Sequence, residues 1–155
     1  MFKHGKTGKV YYSVREKIRY YDKRLKTDGT MTEEQRAYAQ RRLSALRALN
    51  ERPFDEPTLI VTDDKHFGNG MSKPRLCVAY ASDTKGRVRV APVVKNSGKY
   101  CSLDSLPDRM ISDQNNQYID RSDIFEEKYV TMPDGSTVCL TNNDRRKIRY
   151  LFTKK

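Results

Sequence analysis

The sequence predicts an α+β protein: an N-terminal antiparallel helical hairpin, then a small β-barrel or bent antiparallel sheet with a C-terminal helix. Three observations carry this reading. Apolar residues recur at helical spacing up to about residue 50. The pattern then changes to short runs of strand type separated by turn formers. No strand–helix–strand alternation occurs, which argues against a parallel sheet.

Each element can be justified in order. Over residues 10–26, Tyr11, Val14, Ile18, Tyr21 and Leu25 are spaced to form one apolar stripe. Thr27-Asp28-Gly29-Thr30 breaks that helix. Thr32 opens a second helix, with Gln35 completing a capping box, and Ala39, Leu43 and Leu46 line its inner side. So short a connection predicts antiparallel packing. Pro53 and Pro57 bracket a linker, giving a basic hairpin over 1–52 and a second domain over 53–155. Strands follow at Thr58–Thr62, Leu76–Ala81 and Arg87–Val94, the last two joined by a turn at Asp83–Gly86. Weaker strands fall near Tyr100–Leu103 and Gln117–Ile119. Lys128–Met132 and Ser136–Leu140 flank Pro133-Asp134-Gly135, a hairpin signal. Thr141 caps a last helix whose apolar side is Ile148, Leu151 and Phe152.

Charge points to the partner. The net charge is +11 and the pI about 9.6, which favours phosphate backbones or anionic lipid. Residues 1–52 hold fourteen lysines and arginines against six acids; the remainder holds seventeen against fourteen. The excess therefore sits on the helices, and Arg15, Arg19, Lys23, Arg41, Arg42 and Arg47 are candidate phosphate contacts there. Arg145, Arg146 and Arg149 add a basic side to the last helix. The bland alternative is a solvated helical face, but such a face tolerates mixed signs and this one is mostly positive. Several of the ten tyrosines adjoin basic residues, as in Arg19-Tyr20-Tyr21, Lys99-Tyr100, Lys128-Tyr129 and Arg149-Tyr150. Tyrosines beside cations are a common means of holding single strands by base stacking.

Other chemistries have less support. No apolar run is long enough to span a bilayer, no lipidation motif is visible, and MFKHGKTGKVYY lacks the apolar stretch of a secretory signal. A cytoplasmic protein with no membrane partner is expected. Cys77, Cys101 and Cys139 are odd in number and widely separated, so reduced thiols are expected, with Cys77 and Cys139 in apolar strands. No metal or cofactor is implied. Asp63, Asp64, Asp83 and Lys85 sketch a metal-dependent nuclease, as do Glu126 and Lys128, but Asp in turns is ordinary. His66 is placed to act as a general acid or base, or is simply a loop histidine.

Lys-Pro-Arg-Leu-Cys-Val-Ala-Tyr from Lys73, a turn, then Gly-Arg-Val-Arg-Val-Ala-Pro-Val up to Val94 resembles the paired strands of the PemK/MazF toxin family. Leu140-Thr141 leading into a short helix is similar to that family's ending. The resemblance covers roughly residues 57–152. It implies an SH3-like barrel, homodimerisation, a cognate antitoxin protein as partner, and metal-independent cleavage of single-stranded RNA. Lys73 stands where the family carries Arg, and Val94 where it carries Thr or Ser. Lys73, Arg75, Lys95 and Arg109 are then the candidate catalytic residues. The expected function is nucleic-acid binding, with single-stranded RNA favoured and endoribonuclease activity implied by the resemblance. The alternative is a non-catalytic DNA- or RNA-binding accessory or regulatory protein of a mobile element. A third reading is an adaptor whose basic face docks an acidic protein.

Overall fold

The computed structural model describes residues 1–51, 54–68, 70–82, 86–95, 102–112, 116–125 and 138–153. Two short strands, β1 (Phe2–Lys3) and β2 (Val10–Tyr11), pair antiparallel ahead of any helix. Tyr11 therefore belongs to a strand, not to the first helical stripe, and its ring stacks on Phe2 at 5.0 Å. Helix α1 (Val14–Thr27) starts where Ser13 and Glu16 form a reciprocal capping box. The pattern Ser13-x-x-Glu16 thus stops the apparent periodicity at residue 13. Helix α2 (Glu33–Glu51) opens with the reciprocal bonds of Thr32 and Gln35. Arg36 ties the two helices by donating to the Leu25 carbonyl oxygen at 3.2 Å.

Five further strands form one antiparallel sheet: β3 (Thr58–Asp63), β4 (Pro74–Ser82), β5 (Arg87–Lys95), β6 (Arg109–Ile111) and β7 (Gln117–Asp120). The order is β3-β4-β5-β6, with β7 also paired to β5. In register, Leu59 faces Val78 and Val78 faces Ala91. These three join Ile148, Leu151 and Phe152 of α3 (Asn142–Thr153) in one buried cluster. The alternate residues Ile60, Cys77, Ala79, Val88 and Val90 pack with Val14 of α1 and Leu46 of α2. The sheet thus has α1 and α2 on one face and α3 on the other.

The expected architecture needs correction. An N-terminal helical hairpin followed by an SH3-like barrel does not form, because a β-hairpin comes first and the helices share the core of the sheet. No barrel closes among the described residues, and no ladder joins β3 to β6 or β7 there. The physical reason lies in β5, where Val90, Ala91, Pro92 and Val93 are consecutively buried. A strand that buries both faces needs a layer on each side, whereas a strand with one wet face alternates. Strand β6 has no counterpart among the expected strands; Met110 and Ile111 are its apolar content. Cys139 is exposed and outside any strand, unlike Cys77, which is fully buried. The Pro133–Gly135 hairpin, Tyr100, Tyr129 and Cys101 lie outside the described residues.

Candidate nucleic-acid interface

Helices α1 and α2 wall a groove of about 780 Å³ lined by Tyr12, Glu16, Lys17, Arg19, Tyr20, Tyr21, Lys23, Tyr38 and Arg42. The spacing explains how they meet. Glu16, Tyr20 and Lys23 recur on one face of α1, and Tyr38 and Arg42 are one turn apart on α2. Tyr12, Tyr20 and Tyr38 expose 50%, 58% and 52% of their surface, large values for aromatic rings. Tyr21 leans instead against the core beneath and meets the Tyr20 ring edge-on at 5.2 Å. A base entering the groove would find ring faces beside ammonium and guanidinium groups, the combination that holds unpaired nucleotides.

Glu16 is the one acid among the described lining residues, and it is already engaged. Its carboxylate accepts from the Ser13 N–H at 3.2 Å and from the terminal ammonium of Met1 at 2.5 Å. Burial pushes this carboxyl up, but those hydrogen bonds outweigh burial and hold it below its ordinary value. The groove therefore carries four cations against one satisfied carboxylate.

The predicted phosphate contacts fall in different places. Arg19, Lys23 and Arg42 line the groove. Arg47 is paired with Asp22 at 3.2 Å, and Arg41 is exposed on α2 outside the lining. Arg15 lies near Asp120 and Arg121, away from the groove. Arg145, Arg146 and Arg149 stand on α3, on the far face of the sheet, with Arg149 paired to Glu56 and Arg145 bonded to Asn142. One surface does not gather all nine.

A second cleft, of about 480 Å³, is lined by Lys73, Pro74, Arg75, Leu76, Val93, Leu106, Asp108 and Arg109. Three of the four candidate catalytic cations therefore share one wall-to-wall space. The fourth, Lys95, stands opposite Arg109 in the β5–β6 register. Beneath them Asp64 is fully buried, with its oxygens 3.5 Å from Lys73 Nζ and 3.7 Å from Arg75 Nε. Neither carboxylate oxygen receives a hydrogen bond among the described residues. Val94 is half-buried against the apolar cluster under α3 and carries no hydroxyl to this cleft.

The remaining candidates separate from both sites. His66 lies 3.4 Å from Asp123 and lines neither cleft. Asp63 turns away from Asp64, accepting from Ser72 Oγ at 3.0 Å and from the Lys65 N–H at 3.1 Å. Among the described residues no group of three or more His, Cys, Asp or Glu side chains is placed to hold a metal ion. Asp83, Lys85, Glu126 and Lys128 lie outside the described residues. No helix among them is long and apolar enough to cross a membrane. No protein-family model, curated protein or solved structure matches the chain.

Tyr12, Tyr38 and Asp108 are site residues that sequence reasoning missed, and Asp64, read there as part of a metal-nuclease sketch, is instead a buried partner of Lys73 and Arg75. The i, i+4 pair Tyr38–Arg42 was a readable signal for the groove. Nothing in the local sequence marks Asp64 as the counter-ion of Lys73 and Arg75.

Proposed function

We propose that this chain binds nucleic acid, single-stranded RNA in particular, through the tyrosine groove of α1 and α2. The observation that carries the reading is the meeting of three half-exposed tyrosine rings with Lys17, Arg19, Lys23 and Arg42 around one groove. Duplex binding needs cations spaced along a groove, but it has no use for exposed ring faces, because paired bases are already stacked. Unpaired bases do use them. An adaptor role for an acidic protein would use the cations and bury the rings as well, and failure to form a nucleic-acid complex in the assay below would favour it. A basic chain of this kind, with the Cys139 thiol exposed, suits the reducing cytoplasm.

Metal-independent RNA cleavage, the activity implied by the PemK/MazF resemblance, is the second reading. It is favoured by the convergence of Lys73, Arg75 and Arg109 on one cleft, where cations would stabilise charge developing on a phosphodiester. Asp108 is the carboxylate on that wall available for proton transfer.

One experiment tests both. Labelled single-stranded RNA, single-stranded DNA and duplex are incubated with the protein in EDTA and in magnesium, then resolved on native and denaturing gels. The binding reading expects a single-strand complex that weakens steeply between about 50 and 200 mM salt. A complex indifferent to salt counts against it. Shortened RNA in EDTA that disappears with Lys73→Ala supports cleavage; intact RNA throughout leaves binding alone.

A further inference from the structure

We infer that Asp64 is a positioning residue: from beneath the second cleft its carboxylate holds Lys73 and Arg75 together, so that with Arg109 they form a seat for one phosphate group of a nucleic-acid strand. This rests on the cleavage reading of that cleft and names the residue that sets the geometry of its cations.

Strand register brings the side chains together. Asp64 follows β3 directly and opens a one-turn helix, Asp64–Phe67. Its N–H donates to the Lys73 carbonyl oxygen at 2.9 Å, one step past the Asp63–Pro74 pair of the β3–β4 ladder. The two carboxylates at this corner have different partners. Asp63 accepts from the Lys65 N–H, capping the turn, and from Ser72 Oγ. Asp64 meets one cation at each oxygen: Lys73 Nζ lies 3.5 Å from Oδ2 and Arg75 Nε 3.7 Å from Oδ1.

An ordinary ion pair does not account for the burial of Asp64. Lys73 exposes 48% of its side chain, so water solvates its ammonium without a counter-ion. Asp64 is fully buried and receives no hydrogen bond among the described residues. A carboxylate buried on those terms is costly, and the attraction of two cations offsets the cost only while both stay in place. Both contacts are longer than a hydrogen bond, so they hold the cations by charge alone. Lysine carries three donors and arginine five, all on side chains that line the cleft with Arg109. The cleft's three cations exceed Asp64 and Asp108 by one. A phosphodiester brings the single negative charge and the acceptor oxygens that match this balance.

The test titrates the full chain at low salt with inorganic phosphate and with a dinucleoside monophosphate, which carries one phosphodiester, and follows binding by NMR. The deciding variant is Asp64→Asn, which keeps the side chain's shape and removes its charge. Were Asp64 merely a negative charge near the cleft, its removal would tighten phosphate binding. Loss of a positioning residue should instead weaken it by about 10-fold, the scale on which losing the partner that orients an ion's ligand acts. A thermal melt establishes that the variant is folded. In the unsubstituted chain the dinucleoside monophosphate should also protect Lys73 from an amine-acetylating reagent, a readout independent of any variant's folding. Asp64→Asn binding as tightly as the original or tighter, or Lys73 acetylated equally with and without the dinucleoside monophosphate, overturns the inference. If RNA is still cleaved in EDTA in that case, the cleavage reading survives. Binding of inorganic phosphate alone overturns the assignment to a strand. Failure of the unsubstituted chain to bind either probe or to cleave RNA overturns both the inference and the cleavage reading.

Discussion

Replacing Tyr20 and Tyr38 by alanine removes two of the three exposed ring faces in the groove while leaving its four cations. Base stacking on an aromatic side chain is worth about 1–3 kcal/mol for each base, by alanine substitution. Each single variant should therefore weaken single-strand binding by roughly 5-fold to 150-fold. The cost to folding should be small, because both rings are more than half exposed. Tyr20 gives up only an edge-on packing with Tyr21 and a 3.5 Å hydrogen bond from Arg24. That amounts to about 1 kcal/mol of stability. Tyr20→Phe keeps the ring and should bind as the unsubstituted protein does. The assay is fluorescence anisotropy with a labelled single strand, alongside a thermal melt of each variant. Stacking chemistry would be refuted if both alanine variants bound within about 2-fold of the original, or if the phenylalanine variant weakened binding as much as the alanine.

Three other expectations follow from the fold. Asp144 is fully buried and accepts from the N–H groups of Asp104, Ser105 and Thr141 and from Ser105 Oγ. Asp144→Ala orphans these donors, including the Thr141 N–H of the α3 capping box, and should lower stability by about 2–4 kcal/mol in urea titration. Burial pushes the Asp144 carboxyl up, but its hydrogen bonds outweigh that and hold it below its ordinary value. Its contribution is therefore complete above the unfolded carboxyl value near 3.9 and lost as pH falls through the lower folded value. An acid titration should accordingly show less pH dependence in Asp144→Asn than in the original. Arg89 donates to Asn116 Oδ1 at 2.9 and 3.2 Å and to the Phe152 carbonyl oxygen, with its guanidinium 5.1 Å from the centre of the Phe152 ring. Arg89→Ala should cost about 2 kcal/mol, and lysine should not restore it because it has no guanidinium fork. Burial raises the Cys77 thiol far above its ordinary value, so a thiol reagent near pH 8 should label Cys139 quickly and Cys77 only on unfolding. Labelling at equal rates in the folded protein would contradict this packing.

How much of this was legible in the sequence varies with the range of the forces involved. Local signals read well: Thr32 with Gln35 and Thr141 with Asp144 form their reciprocal caps, because capping depends on residues three apart. The strand runs at Thr58 and Arg87 were readable from composition for the same reason. Closure of the sheet was misread. A strand buried on both faces and a bent barrel strand share short apolar runs, and only the consecutive burial of Val90 to Val93 separates them. At the site, charge alone points to Arg19, Lys23 and Arg42. The same signal also points to Arg47, which Asp22 neutralises, and to the α3 arginines, which the sheet separates from the groove. Pairings across 25 residues or across two layers leave no mark on local sequence. The cluster of Lys73, Arg75 and Arg109 over buried Asp64 is likewise a product of strand register.

The most direct measurement is photo-crosslinking of a thiouridine-substituted single-stranded RNA to the purified chain, with adducts located by mass spectrometry. Adducts should concentrate on Tyr12, Tyr20 and Tyr38 and diminish as salt is raised. Adducts confined to α3, or scattered over the surface without regard to the groove, would contradict the central claim.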